Sequence, residues 1–127
     1  MARAIDHQSS KDTIVARATP NGDGAVAIVR LSGPGSCSIA DQLFLSAGKK
    51  ILSTYNKREM VFGSIVDPRR STVPIDQGLA VYWIAPSSFT GEDVVEVHLH
   101  GSSVIVSQVI QLCVRQGARL AKPGEFS

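Results

Sequence analysis

Cysteine is scarce in this 127-residue chain: Cys37 and Cys113 are the two it has, and neither has a neighbour at metal-ligand or redox spacing. That excludes a disulfide framework, and both are expected to be buried free thiols in a reducing cytoplasm. Charge of one sign is also lacking. Thirteen Lys and Arg against eleven Asp and Glu leave +2, too small a surplus to drive sequence-independent binding to a phosphate backbone by counterion release. Long apolar runs are missing as well: stretches such as Ala25 to Val29 fall far short of the about 20 residues that cross a bilayer. Asp6, His7 and Asp12 stand where a secretory signal would place its apolar core, so no export is indicated.

What is present is a 43% hydrophobic fraction with 19% charge, enough to bury one core and fold as one domain. Residues 1–11 are polar and aperiodic and are expected to form a disordered tail. The domain is expected over 12–120, with 121–127 as the start of a linker. Neither an internal repeat nor a low-complexity tract interrupts it.

Thr13 to Ala16 is a β-branched run before the turn-forming Thr19-Pro20-Asn21-Gly22-Asp23-Gly24. Ala25 to Ser32 alternates Val26, Ile28, Arg30 and Ser32 with Ala25, Ala27, Val29 and Leu31, mostly apolar on both faces. The pattern predicts a strand in a sheet covered on both sides, where Arg30 needs an anionic partner. Gly33-Pro34-Gly35 breaks it, and Ser36 or Ser38 is expected to cap a helix whose apolar positions run through Ile39, Ala40, Leu43, Phe44 and Ala47 to Gly48. Glu59 to Val66 and Leu79 to Ala85 are expected strands, and Ser87 to Asp93 a turn. Val94 to His100 alternates most cleanly, with Val95, Val97 and Leu99 on one face and Val94, Glu96, His98 and His100 on the other. A second helix follows, capped by Ser102 or Ser103 and closed by Gly117. These elements predict an α+β fold: a mixed, mostly antiparallel sheet of about five strands with two main helices packed on it.

Several motif matches fail on context. The letters of a dinucleotide fingerprint at Gly22 to Ala27 are followed by a strand rather than a helix. Ala47 to Lys50 lacks the glycine and hydroxyl residue of a P-loop. The turn Leu31 to Ser36 has the strand-to-helix context of an anion cradle, but an ordinary tight connection is the simpler and favoured reading, because many such turns bind nothing. Glu96, His98 and His100 share a strand face at a spacing from which a metal-dependent enzyme could be built, although a fourth ligand and supporting groups are lacking, and no metal is assigned. Glu96, flanked by valines, is expected to be partly desolvated and to need donors. Those donors are either Arg30 across the sheet or a ligand with adjacent N–H groups.

Asp12 to Pro20, Gly24 to Gly33, Asp76 to Ser102 and Ala121 to Ser127, above all the SFTGED and PGEFS blocks, closely resemble the N-terminal domain of the MnmE (TrmE) family of tRNA modification GTPases. The resemblance covers nearly all of the chain from Asp12 onward. It implies a domain akin to the tetrahydrofolate-binding domains of glycine-cleavage T-protein-like enzymes, which binds 5-formyl-tetrahydrofolate or a related tetrahydrofolate and forms a homodimer. It places the family's two folate-contacting residues on Arg30 and Glu96 and implies a carrier site rather than a catalytic one. A further folate-contacting lysine of the family would lie beyond Ser127, so weaker folate binding is expected. The family's helical region, potassium-dependent GTPase domain with its GTP and magnesium, and C-terminal cysteine motif would also follow Ser127, so this chain alone is expected not to hydrolyse GTP. Family partners are the flavin-dependent MnmG and tRNA, whose wobble uridine is modified. A purely architectural dimerisation module is the alternative.

Overall fold

The computed structural model describes residues 12–70, 73–85 and 91–126. Its elements are β1 (Ile14–Arg17), β2 (Val26–Ser32), α1 (Ser36–Leu43), β3 (Phe44–Ser46), a 3-10 turn (Leu52–Thr54), β4 (Val61–Ile65), β5 (Asp76–Trp83), β6 (Val94–His100), α2 (Ser103–Arg115) and β7 (Arg119–Leu120). The strands form one sheet in the order β3-β4-β5-β6-β2-β1-β7. Every pairing is antiparallel except that of β1 with β7. The α+β class holds, but the sheet has seven strands rather than about five. The two additional ones, β3 and β7, are three and two residues long, too short to display a period of two.

The core lies between one sheet face and the two helices. Val15, Ala27, Val29, Leu31, Ala80, Tyr82, Val95, Val97 and Leu99 meet Ile39, Ala40 and Leu43 of α1 and Val106, Val109, Leu112 and Cys113 of α2. Each fully buried Val or Leu contributes about 1.5–3 kcal/mol by leaving water, and the alternation along the strands aims Val29 and Leu31 inward from β2, beside the smaller Ala27, and Val95, Val97 and Leu99 inward from β6. The expectation of a sheet covered on both sides is corrected. Val26, Phe62 and Leu79 of the opposite face are 56%, 52% and 37% exposed, because both helices pack on the same side and contact each other.

The expected continuation of the first helix to Ala47 is also corrected. At Phe44 the backbone turns extended, and Phe44, Leu45 and Ser46 pair with Ile65, Ser64 and Gly63. Helical spacing of Phe44 and Ala47 loses to this tertiary pairing, which buries Phe44. Neither Ser36 nor Ser38 caps the helix: the N-cap is Gly35, without a side-chain cap bond. The Ser36 hydroxyl instead donates to the carbonyls of Gly33 and Asp93. At α2 the expectation holds at Ser102, whose Oγ accepts the Ile105 N–H, and Asp23 accepts the Ser103 N–H. Gly117 follows α2 at φ 119°, a conformation that glycine adopts without strain.

The expected tail at 1–11 and residues 86–90 of the SFTGED region lie outside the described residues. Residues 121–126 return to the sheet edge. The Ala121 N–H donates to the Val15 carbonyl, and Glu125 accepts from the Lys122 N–H and from both terminal nitrogens of Arg119. No helix among the described residues is long and apolar enough to cross a membrane.

Candidate functional site

β2 and β6 are neighbours, and their register sets Arg30 directly opposite Glu96. Both point to the sheet face that the helices leave uncovered. Arg30 Nε donates to Glu96 Oε2 at 2.8 Å, and an Arg30 terminal nitrogen lies 2.6 Å from the same oxygen. The two side chains are 21% and 14% exposed, so water screens the pair only in part. The donor that Glu96 was expected to need is therefore Arg30, and the anion that Arg30 was expected to need is Glu96. Of the ligand and the ion pair left open as donors, the ion pair is the one formed in the chain itself.

The contacts are lopsided in a way the sequence does not disclose. Both Arg30 nitrogens converge on Oε2, whereas Oε1 faces His98 Nε2 at 3.4 Å, a distance at which a hydrogen bond is weak. An ionised carboxylate offers about four lone-pair sites, so Oε1 keeps capacity for another donor. Over the Arg30 guanidinium lies the Phe126 ring, with its centroid 5.7 Å away, within the range of a cation–π contact. Sequence reasoning missed Phe126. Its position follows from the return of residues 121–126 to the β1 edge, and the only signal was the distinctiveness of the PGEFS block. Arg119 anchors that return by donating to Asp12 and Glu125. The Arg119 hydrogen bonds and the Lys122 N–H hold the Glu125 carboxyl down at about 2.

His98 and His100, grouped with Glu96 by their period, go to different partners. His98 Nε2 faces Glu96, whereas His100 Nδ1 lies 2.7 Å from Asp76 Oδ1 and the His100 N–H donates to Asp76 Oδ2. Among the described residues no group of three or more His, Cys, Asp and Glu could hold a metal ion. Burial pushes the Asp76 carboxyl up, but the hydrogen bonds from His100 and the Gln77 N–H outweigh it and hold the group below the usual carboxylate range. The two histidines line a cleft of about 470 Å³ on the uncovered face, together with Val26, Phe62, Gln77 and Leu79.

The Leu31 to Ser36 turn is an ordinary connection, as its simpler reading held. The Gly33 N–H donates to Asp93 O, the Gly35 N–H to Thr13 Oγ1 and the Ser36 N–H to Gly33 O, so these groups are committed within the chain. Cys37 and Cys113 are free thiols, half-buried and buried respectively.

The family model described as GTP-binding protein TrmE N-terminus matches residues 13–127. Among curated proteins, the tRNA modification GTPases MnmE of Bacillus licheniformis and Bacillus subtilis are each 47% identical to the chain over 116 residues. That of Alkaliphilus oremlandii is 40% identical over the same length. Each match covers 91% of this chain and 25% of the relative, so the chain spans a quarter of the length of these relatives. With a family model matching almost the whole chain and relatives at this identity, the chain belongs to the TrmE N-terminal family.

Proposed function

We propose that this chain is the formyl-tetrahydrofolate-binding and homodimerisation domain of a GTPase that modifies the wobble uridine of tRNA. The carrying observation is the Arg30–Glu96 pair. Glu96 is a shielded carboxylate fixed in orientation through Oε2, with Oε1 facing His98. A pterin presents a 2-amino group beside a ring N–H, and Oε1, whose lone pairs Arg30 does not take, can accept from that edge. Arg30 holds the acceptor in place, and Phe126 offers an aromatic surface beside it. The donor set thus fits the folate ring, whose one-carbon unit is the chemistry it supplies when bound. This chain's own residues bind and orient the ring.

In this reading the domain works in the cytoplasm within a longer protein, in which a potassium-dependent GTPase domain binds GTP and magnesium. The flavin-dependent MnmG and tRNA are that protein's partners. The test is calorimetric titration with 5-formyl-tetrahydrofolate beside a thermal melt, since a ligand of the native state raises its stability by mass action. The unaltered chain should bind and melt higher, and Glu96→Gln should abolish both effects. Light scattering that finds a monomer at tens of micromolar would remove the dimer from the proposal.

A second reading is favoured by the fact that Arg30 already meets Glu96: the pair is a structural clasp in an architectural module. That reading predicts no change in melting with saturating folate and a loss of stability in Glu96→Gln regardless of ligand.

A further inference from the structure

The sheet face without helices is not uniformly bare. Val26 and Leu79 are exposed toward one end of it, whereas Ile14, Ser32, Val81 and Val94 toward the other are 7%, 1%, 2% and 0% exposed, and the apolar ones among them lie outside the main core cluster. They flank the Arg30–Glu96 pair: Val81 stands opposite Glu96, and Ser32 stands between Ile14 and Val94. Burial there needs a cover other than a helix. Glu92, which accepts from Ser32 Oγ, closes in from one side, and residues 119–126 cross from the other.

The crossing is laid down by the sequence. Arg119 pairs with Ile14, and β1 lies between β7 and β2, so a chain that leaves β7 and ends on Arg30 passes over β1, two strand spacings or about 10 Å. Ala16, opposite Arg30 on β1, presents only a methyl group on that path. Lys122-Pro123-Gly124-Glu125 then turns the chain: the Glu125 N–H donates to the Lys122 carbonyl at 3.0 Å and Gly124 has φ 77°, which with proline before it is what a type II turn demands. The Glu125 carboxylate folds back on this turn, accepting from the Lys122 N–H and from Arg119, while Arg119 Nε donates to Asp12 at 3.0 Å. From the clasped turn the next residue, Phe126, stands over the Arg30 guanidinium.

We propose that residues 119–126 are a strap that orients the Glu96 carboxylate at one remove: the Asp12–Arg119–Glu125 clasp seats Phe126 on Arg30, and Arg30, so covered, holds Oε2. Phe126 and Glu125 are positioning residues, and neither touches a ligand. The inference deepens the folate reading and rests on it for its consequence, that an acceptor held in place binds more tightly than one free to turn. Arginine carries much rotamer freedom, and a ring face laid on its guanidinium removes some of it. The orientation of Glu96 is therefore conditional on the strap. In the longer protein of that reading, a displacement of the chain after Phe126 reaches Glu96 without touching it, by lifting the ring from Arg30.

The test reads Arg30 directly by NMR. In the unaltered chain the Arg30 Hε, bonded to Glu96 and close to the Phe126 ring, should resonate apart from exposed arginines and exchange slowly with water. Phe126→Leu, which keeps an apolar side chain but no ring face, and Glu125→Gln, which acts on the clasp alone, should each speed that exchange by about 2–5-fold, the usual worth of one cation–π contact at a partly exposed site. Phe126→Tyr should keep it slow. The β2 and β6 amides should stay protected in all three variants, which a general loosening of the fold would not allow. Titrated with 5-formyl-tetrahydrofolate, Phe126→Leu and Glu125→Gln should lose affinity in step with Arg30. Unchanged Arg30 exchange in both overturns the strap, whether or not folate binds. A loss of β2 and β6 protection that matches the Arg30 change overturns it too, as does weaker folate binding in Phe126→Leu with Arg30 unaffected, since Phe126 then meets the ligand itself. Faster Arg30 exchange in both variants, where even the unaltered chain binds no folate, supports the strap and overturns the folate reading alone.

Discussion

Arg30 places two nitrogens on a single oxygen of Glu96, leaving the other oxygen to His98 at 3.4 Å. The anchored oxygen supplies position and the second oxygen supplies capacity. A partly buried pair of this kind costs most when one member is removed and the other is left uncompensated. Arg30→Met should therefore destabilise the chain by about 1–3 kcal/mol in urea unfolding. The double variant Arg30→Met with Glu96→Met should recover part of that loss. Losses of the two single variants that simply add in the double variant would show that the two residues do not act as a pair.

The Glu125 carboxyl lies at about 2 because Arg119 and the Lys122 N–H hydrogen-bond its ionised form. A depressed carboxyl stabilises the fold fully above its unfolded value of about 4.3 and ceases to do so as pH falls through the folded value. The NMR shift of the Glu125 side-chain carboxyl carbon is expected to titrate toward pH 2, and Arg119→Gln, which removes the two donating terminal nitrogens, to move that step upward. A midpoint near 4.3 would mean that the bridge does not persist in solution.

Gly63 lies where β3 crosses close to β4. A Cβ there would meet the Leu45 carbonyl, with Phe44 Cζ and Ser46 Cα each at 2.7 Å. Two of these are backbone atoms that move only with the strand. Gly63→Ala should lower stability by about 2–4 kcal/mol through overpacking, and the loss should localise to the β3 and β4 amides in hydrogen exchange. Gly22, with open space around it but φ 98°, should lose only about 1 kcal/mol on the same change.

Both thiols are poor nucleophiles near neutrality. Burial, with Asp41 and Asp93 nearby, pushes Cys37 up to about 11, and burial pushes Cys113 up to about 12. Because the thiolate is the reactive species, labelling by a disulfide reagent should be slow at pH 7.5, with the Cys37 rate still climbing at pH 10. Cys113 should label only as fast as the chain opens. Rapid labelling of either residue in the native chain at neutral pH would contradict its placement.

How far the sequence disclosed this arrangement depended on the length of each pattern. β6 was legible to the residue because Val95, Val97 and Leu99 alternate with Glu96, His98 and His100, and α2 because Ser102, its apolar spacing and Gly117 agree. Arg30 and Glu96 were legible as a physical problem, a charge among branched apolar residues, and the register solved it by making them opposites. The breakdown at Phe44 has a different origin. Its helical spacing is real, but the pairing of residues 44–46 with β4 depends on chain that comes twenty residues later. β7 and the seat of Phe126 depend on the return to β1. The bare face was misjudged because an apolar strand face looks the same whether a helix or nothing in the chain covers it. The split between His98 and His100 was hidden for the same reason as β7, since Asp76 comes from another strand.

The parallel seam between Ile14–Val15 and Arg119–Leu120 carries a kinetic consequence. Its two halves are drawn from opposite ends of the described chain, so the seam is a contact of high sequence separation, and such contacts slow folding. During synthesis β1 can join β2 early, but its other side stays an unpaired ribbon until the last strand leaves the ribosome. Through that interval an exposed strand edge is available to neighbouring chains, and in the finished domain the seam closes it.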